Sequence, residues 1–193
     1  MSAPYTWLLG LAAAGTLAQL TGGAAVAGAP AASPAASAAQ AAQPLLTIQQ
    51  LMDARIDPAA DALWDSVAFI ATLKGEEDRR PRTPAEWRAV RRSALALIAG
   101  VDALSLPGRR VAADAKAPGP GELSAGEIQQ RIDADHRAFE RHARPLEAAA
   151  RKALAAIDAR DADALMSAGG QIDEACEACH VIYWYPNQLR PPR

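Results

Sequence analysis

The sequence predicts an all-α domain, an up-down four-helix bundle, over residues 45–193. Half of the 193 residues are hydrophobic, alanine dominates them and only 5% are aromatic, a balance that favours helix over strand. Apolar residues recur in steps of three and four, and almost no run alternates with the period of a strand. Helix-start signatures also stand ahead of three of the apolar runs.

The first helix is expected from the stripe Ile48, Met52, Ile56, Ala60, Leu63, Val67, Ile70 and Leu73. Asp57-Pro58 interrupts it, so this segment is expected either to kink at Pro58 or to split, with Asp57 capping the second part. The second helix opens on Thr83-Pro84-Ala85-Glu86, a capping box with proline in the first turn, and buries Trp87, Val90, Ala94, Leu97, Val101 and Leu104. Pro107-Gly108 stops it, and the stretch from Ser105 to Leu123 is a long loop, basic at Arg109 and Arg110. Ser124 and Glu127 repeat the capping signature for one third helix carrying Ile128, Ile132, His136, Phe139, Ala143, Leu146, Ala150, Leu154 and Ile157, kinked at Pro145. Asp161 caps the fourth, with Leu165, Gly169, Ile172, Cys176, His180 and Tyr183 in register and Pro186 limiting its end. No such helix can bury its stripe alone, and a bundle is the simplest packing.

Ahead of this domain, no charged side chain occurs before Asp53. Trp7 to Val26 is mostly Leu, Ala and Gly, like the apolar region of a secretory signal, and Ala25-Val26-Ala27 offers a small-residue cleavage site. Residues 1–27 are therefore expected to be a signal peptide that exports the chain to the periplasm. The alternative is an uncleaved anchor, since about 20 apolar residues can span a bilayer; only then would the chain meet a membrane. Residues 28–44, rich in Ala, Ser, Pro and Gln, read as a disordered linker.

Lys+Arg (20) nearly balances Asp+Glu (22), and no basic stripe interleaves with aromatics, so nucleic acid is not an expected partner. No Ser/His/Asp arrangement, carboxylate pair or phosphate loop is evident, and no enzymatic activity is expected. The two cysteines, Cys176 and Cys179, are too close in sequence for a disulfide between them to staple the fold usefully.

Cys176-Glu177-Ala178-Cys179-His180 is the C-x-x-C-H pattern of c-type haem attachment. Two thiols must reach the two vinyl groups at one edge of a porphyrin while an imidazole approaches the iron. On a helix, residues spaced by three and four project from one face. A flat cofactor on that face is expected to fill space left open by Gly169 and Gly170. The competing readings are half a zinc site and a redox dithiol. Structural zinc takes four ligands, and no further cysteine exists, only His136 and His142; a thioredoxin-like dithiol expects a βαβ context. The expected cofactor is one covalent haem c, held by Cys176, Cys179 and His180, with His180 a metal ligand.

A C-x-x-C-H on the last helix of an exported four-helix bundle resembles the cytochrome c′ family and its low-spin relatives, over roughly Leu45 to Tyr185. Met52 to Val67 (MDARIDPAADALWDSV) also looks like that family's first helix. The resemblance implies a haem inside the bundle, proximal to the last helix and distal to the first, and a possible homodimer through the first two helices. The aromatic Tyr183-Trp184-Tyr185 departs from the family's polar ending.

The residue opposite His180 decides the activity. A methionine sulfur there favours electron transfer with periplasmic redox partner proteins; an apolar side chain leaves room for small gases such as NO or CO. Met166 stands roughly 21 Å from His180 along one helix at about 1.5 Å per residue and cannot reach the distal side. Met52 is the candidate distal ligand, against the alternative that it is core filler. Arg55, one turn away, is a candidate partner for a haem propionate, against a solvated surface arginine. His136 is expected in the core or near a propionate, His142 in solvent, and Trp64 and Trp87 in packing.

Overall fold

The computed structural model describes residues 45–73, 75–114 and 117–188, and is mostly helical. The readings for 1–27 and 28–44 lie outside the described residues. The helical path begins with α1 (Ile48–Leu51), continues without a break through a π-helical turn (Met52–Ile56) and ends in α2 (Asp57–Ser66). Thr47 starts it with a capping box: its hydroxyl accepts from Gln50 N–H at 3.1 Å, and Gln50 Oε1 accepts from Thr47 N–H at 2.9 Å.

The path neither splits at Asp57-Pro58 nor uses Asp57 as a cap. Asp57 has helical φ/ψ of −59°/−50°, its N–H bonds to the carbonyl of Met52, five residues back, and α2 has no side-chain cap. Proline lacks an N–H and its ring crowds the carbonyl four residues back. Widening one turn relieves both problems at Pro58 without ending the helix.

The first helix is also shorter than its apolar stripe. Val67 turns extended (φ −137°, ψ 114°), and a hairpin follows, β1 (Ala68–Thr72) antiparallel to β2 (Gly75–Arg79), in register from Ala68 opposite Arg79 to Thr72 opposite Gly75. Ile70 therefore stands on a strand and Leu73 lies fully exposed. β-Branched and aromatic residues from Val67 to Thr72 suit a pleated strand, and Gly75 takes a φ of +132° that other residues rarely adopt.

α3 (Pro84–Leu104) starts at Thr83 with the expected reciprocal bonds to Glu86, and all six residues of its stripe are buried. The following loop is pinned by Arg109. This buried side chain donates to the carbonyl of Ala103 at 2.8 Å and to that of Leu46, while Ile48 and Gln49 donate to the carbonyls of Arg110 and Val111.

The expected third helix is two: α4 (Ala125–Ala134), capped at Ser124 as expected, and α5 (His136–Ala159). They break at Asp135 (φ −151°, ψ 79°), whose carboxylate accepts from Ala138 N–H at 2.8 Å and restarts the ladder. Pro145 lies inside α5 on its exposed side, and the helix continues through it. A tight connection, with Arg160 left-handed at φ 55° and Asp161 bonded to Ala164 N–H, leads into α6 (Ala162–Tyr183).

Each long element packs on the next: α2 on α3, α3 on α5, α5 on α6, and α6 back on α2. Their apolar faces enclose one core that includes Leu63, Leu97, Val101, Ala150, Leu165 and Ile172, all no more than 2% exposed. Gly100 on α3 lets the π turn approach, because a Cβ there would stand 2.8 Å from Ile56 Cγ1. Gly100→Ala is therefore expected to cost about 1–3 kcal/mol in urea unfolding, as overpacking does. Gly170→Ala, on the exposed side of α6 with nothing within 4 Å of the added carbon, is expected to gain about 1 kcal/mol.

Candidate functional site

α6 ends in the cysteine-histidine motif. Its buried stripe runs through Leu165, Ala168, Gly169, Ile172 and Ala175 to Tyr183, and Cys176, Cys179 and His180 continue along that side, each half-buried. Both cysteines are free thiols packed at the margin of the core. The local sequence dictates this placement: Asp161 fixes where the helix starts, and spacings of three and four then carry the three side chains around together.

Burial sets their chemistry. It pushes the Cys176 thiol up to about 11, helped by the Asp57 and Asp173 carboxylates. Cys179 is likewise pushed up to about 11, by burial and then by Cys176. His180 is shifted down by burial, against the opposing pull of Asp57 and Glu177, so its imidazole is neutral at pH 7. Neutral imidazole is the form that binds a metal. Among the described residues no hydrogen bond engages the His180 ring.

The first helix meets this face antiparallel. Trp64 of α2 donates its indole N–H to the Gly169 carbonyl at 3.0 Å, and Asp57, further back along α2, lies within electrostatic reach of Cys176 and His180. The shelf at Gly169 is thus filled by Trp64, whose Cδ1 would stand 3.2 Å from an added Cβ. This corrects the expectation of open space at Gly169, where the indole supplies the flat apolar filling itself, whereas Gly170 has nothing within 4 Å of an added Cβ. Beside it, a groove of about 340 Å³ is lined by Trp64, Val67, Met166, Gly169, Gly170 and Asp173.

In the sequence Asp57 stands only as a candidate cap. Freed from that task by the π turn, its carboxyl is raised by burial, lowered by His180, and raised again by Asp53 and Asp61 one turn away on either side. The repeat Asp53, Asp57, Asp61, Asp65 was the available signal, since a spacing of four aligns side chains on a helix.

Met52 opens the π turn, half-buried and packed on the core, one turn before Asp57. Arg55 is exposed, with its stem against Gly100 of α3. His136 is half-buried and pairs with Glu140 at 3.4 Å. His142 is not solvated as expected: it is half-buried, with its ring 5.8 Å from Tyr183, which also packs edge-on to Phe139 at 5.2 Å. Trp87 is buried and Trp64 half-buried.

Chemically, the face offers two protonated thiols one turn apart and one neutral nitrogen ligand. Among the described residues no group of three or more His, Cys, Asp or Glu converges as a cage for a bare ion. Two thiols and one imidazole are one donor short of the four that a structural zinc takes. No protein family, curated protein or solved structure matches the chain. No helix among the described residues is long and apolar enough to cross a membrane.

Two outcomes follow from these shifts. In the haem-free reduced chain, alkylation of Cys176 and Cys179 by iodoacetamide at pH 7 is expected to run on the order of a hundredfold slower than for free cysteine, accelerating until the pH nears 11. In the same chain, Asp57 holds its proton more tightly folded than unfolded, so its ionisation favours unfolding. That penalty is absent below the carboxylate range, near pH 4, and complete once the pH exceeds the raised value. Asp57→Asn should therefore raise Tm at pH 7, with the gain vanishing below about pH 4.

Proposed function

We propose that this chain is a periplasmic c-type cytochrome, an up-down four-helix bundle of cytochrome c′ type carrying one haem c and serving as an electron carrier. The reading rests on Cys176, Cys179 and His180 sharing one face of the last helix, with the thiols protonated and the imidazole neutral and unengaged among the described residues. The closed ring of α2, α3, α5 and α6 supports the bundle.

In this proposal Cys176 and Cys179 hold the porphyrin through thioethers, and His180 binds on the proximal side through its neutral ring. Haem held there supplies a one-electron couple whose potential depends on its axial ligands and burial. Met52 is the proposed distal ligand. It lies on the helix that reaches His180 through Asp57, and the π turn supports the assignment because such turns recur at functional sites. Arg55, exposed at that turn, is the proposed partner of a propionate. Its periplasmic partners would be redox proteins.

Expression in a host with cytochrome maturation machinery tests the proposal. The mass should rise by one haem, and both thiols should be lost. With Met52 bound, the ferrous protein should be low-spin and inert to CO. Met52→Ala should turn it high-spin and CO-binding, with a lower reduction potential. Rapid, complete CO binding by the wild type would overturn the Met52 assignment and favour a gas-binding cytochrome; a bare polypeptide with both thiols free would overturn the cytochrome itself.

A further inference from the structure

A histidine on a metal is normally oriented by a hydrogen bond from its second ring nitrogen to a carboxylate, a carbonyl or water. Among the described residues His180 has no such protein partner, although the Asp57 and Glu177 carboxylates stand close enough to influence it. Aromatic rings surround it instead. Trp184 meets the imidazole at 5.2 Å between centroids and 88° between planes, and Tyr185 at 6.0 Å and 60°. The two rings also brace one another at 5.3 Å.

This tail is fixed from several sides. Trp184 and Tyr185 N–H both donate to the His180 carbonyl, at 2.8 and 3.0 Å, which wraps the chain back over the helix end. The Trp184 carbonyl accepts from Leu123 N–H at 2.7 Å, tying the tail to the loop ahead of α4. Arg131 of α4 donates to the Ile182 carbonyl at 2.9 Å. The Tyr185 hydroxyl donates to the Glu177 carboxylate, which draws that carboxylate toward the tyrosine.

We infer that Trp184 and Tyr185 are the positioning residues of His180, setting the plane of its imidazole by ring packing where a hydrogen bond would ordinarily do so. The inference rests on the haem reading above. Trp184 is 43% exposed, so its substitution removes little of the core, whereas Trp87 at 8% is part of it. This contrast separates a positioning role from a merely structural one.

The order and spread of the haem methyl proton shifts in the ferric protein report the axial imidazole plane, and the g values of the low-spin electron spin resonance spectrum report it independently. Trp184→Leu is expected to reorder the methyl shifts and move the largest g value. Trp184→Phe should restore the wild-type pattern, and Tyr185→Phe, which keeps the ring and loses the strut, should give an intermediate one. Trp87→Phe should lower Tm and leave both spectra in place.

The haem-free chain gives a second readout. With only three histidines, the His180 ring protons are readily assigned; they should be displaced by the Trp184 ring current and return toward ordinary positions in Trp184→Leu. Covalent haem in every variant with methyl shifts and g values unchanged in Trp184→Leu would overturn the positioning role alone. A wild-type chain that takes up no haem in the maturation host, yet keeps the ring-current displacement, would overturn the haem reading and with it this role.

Discussion

The helix bearing Cys176, Cys179 and His180 lies against a neighbour faced largely with alanine. The buried side of α5 runs through Ala143, Ala149, Ala150, Ala153 and Ala156, and that of α6 through Ala168, Gly169 and Ala175. Small faces let two helix axes approach toward the short end of the usual range of about 8–10 Å. Each alanine buries little area, so the gain comes from many close contacts rather than a few large anchors. The same device recurs where Gly100 admits Ile56 and where Gly169 receives the Trp64 indole. Helices seated this way resist sliding, because any shift brings a larger side chain over a small one. Cys176, Cys179 and His180 stand toward the end of the helix seated in this way.

A second constraint acts through Pro58. The wider turn it imposes keeps the first helix continuous, so Met52, Asp57 and Trp64 belong to one rod with a fixed rotation. Asp57 consequently faces α6 with its carboxyl uncommitted to a cap, and Asp53 and Asp61 stand on either side. The chain as a whole is nearly neutral, at −2, yet this helix gathers four aspartates at intervals of four. The carboxyl of Asp57 is raised chiefly by burial, with the crowding of Asp53 and Asp61 a smaller contribution.

Local chemistry was legible in the sequence, and long-range placement was not. The caps at Thr83, Ser124 and Asp161 each depend on a few adjacent residues, and each starts a helix where its signature stands. The buried stripe of α3 follows from period alone. The hairpin escaped because Val67, Ile70 and Leu73 continue the three-and-four spacing by coincidence, while the β-branched and aromatic content of the same segment argues for a strand. Asp135 escaped because the stripe passes across it from Ile132 to Phe139, both buried, and hides the break. At the candidate site, the common face of Cys176, Cys179 and His180 follows from spacing on one helix. The approach of Asp57 requires a partner helix and an unusual turn, and the contact of Trp64 with Gly169 spans 105 residues. Neither has a local signature.

The surroundings of the two sulfurs support the proposed use of the motif over a redox dithiol. A redox dithiol works through a thiolate stabilised near neutral pH by a helix N-terminus or a nearby cation. Cys176 and Cys179 lie instead in the closing turns of a helix, where the dipole disfavours negative charge, among carboxylates and partly out of water. A zinc site would need both sulfurs ionised and converging with two more donors. Thioether formation also begins from thiol chemistry, but it ends in a neutral sulfur bonded to carbon, for which a half-buried position at the edge of an apolar face imposes no charge penalty. Burial that makes these cysteines poor nucleophiles is compatible with the neutral sulfur that the proposed thioethers would contain.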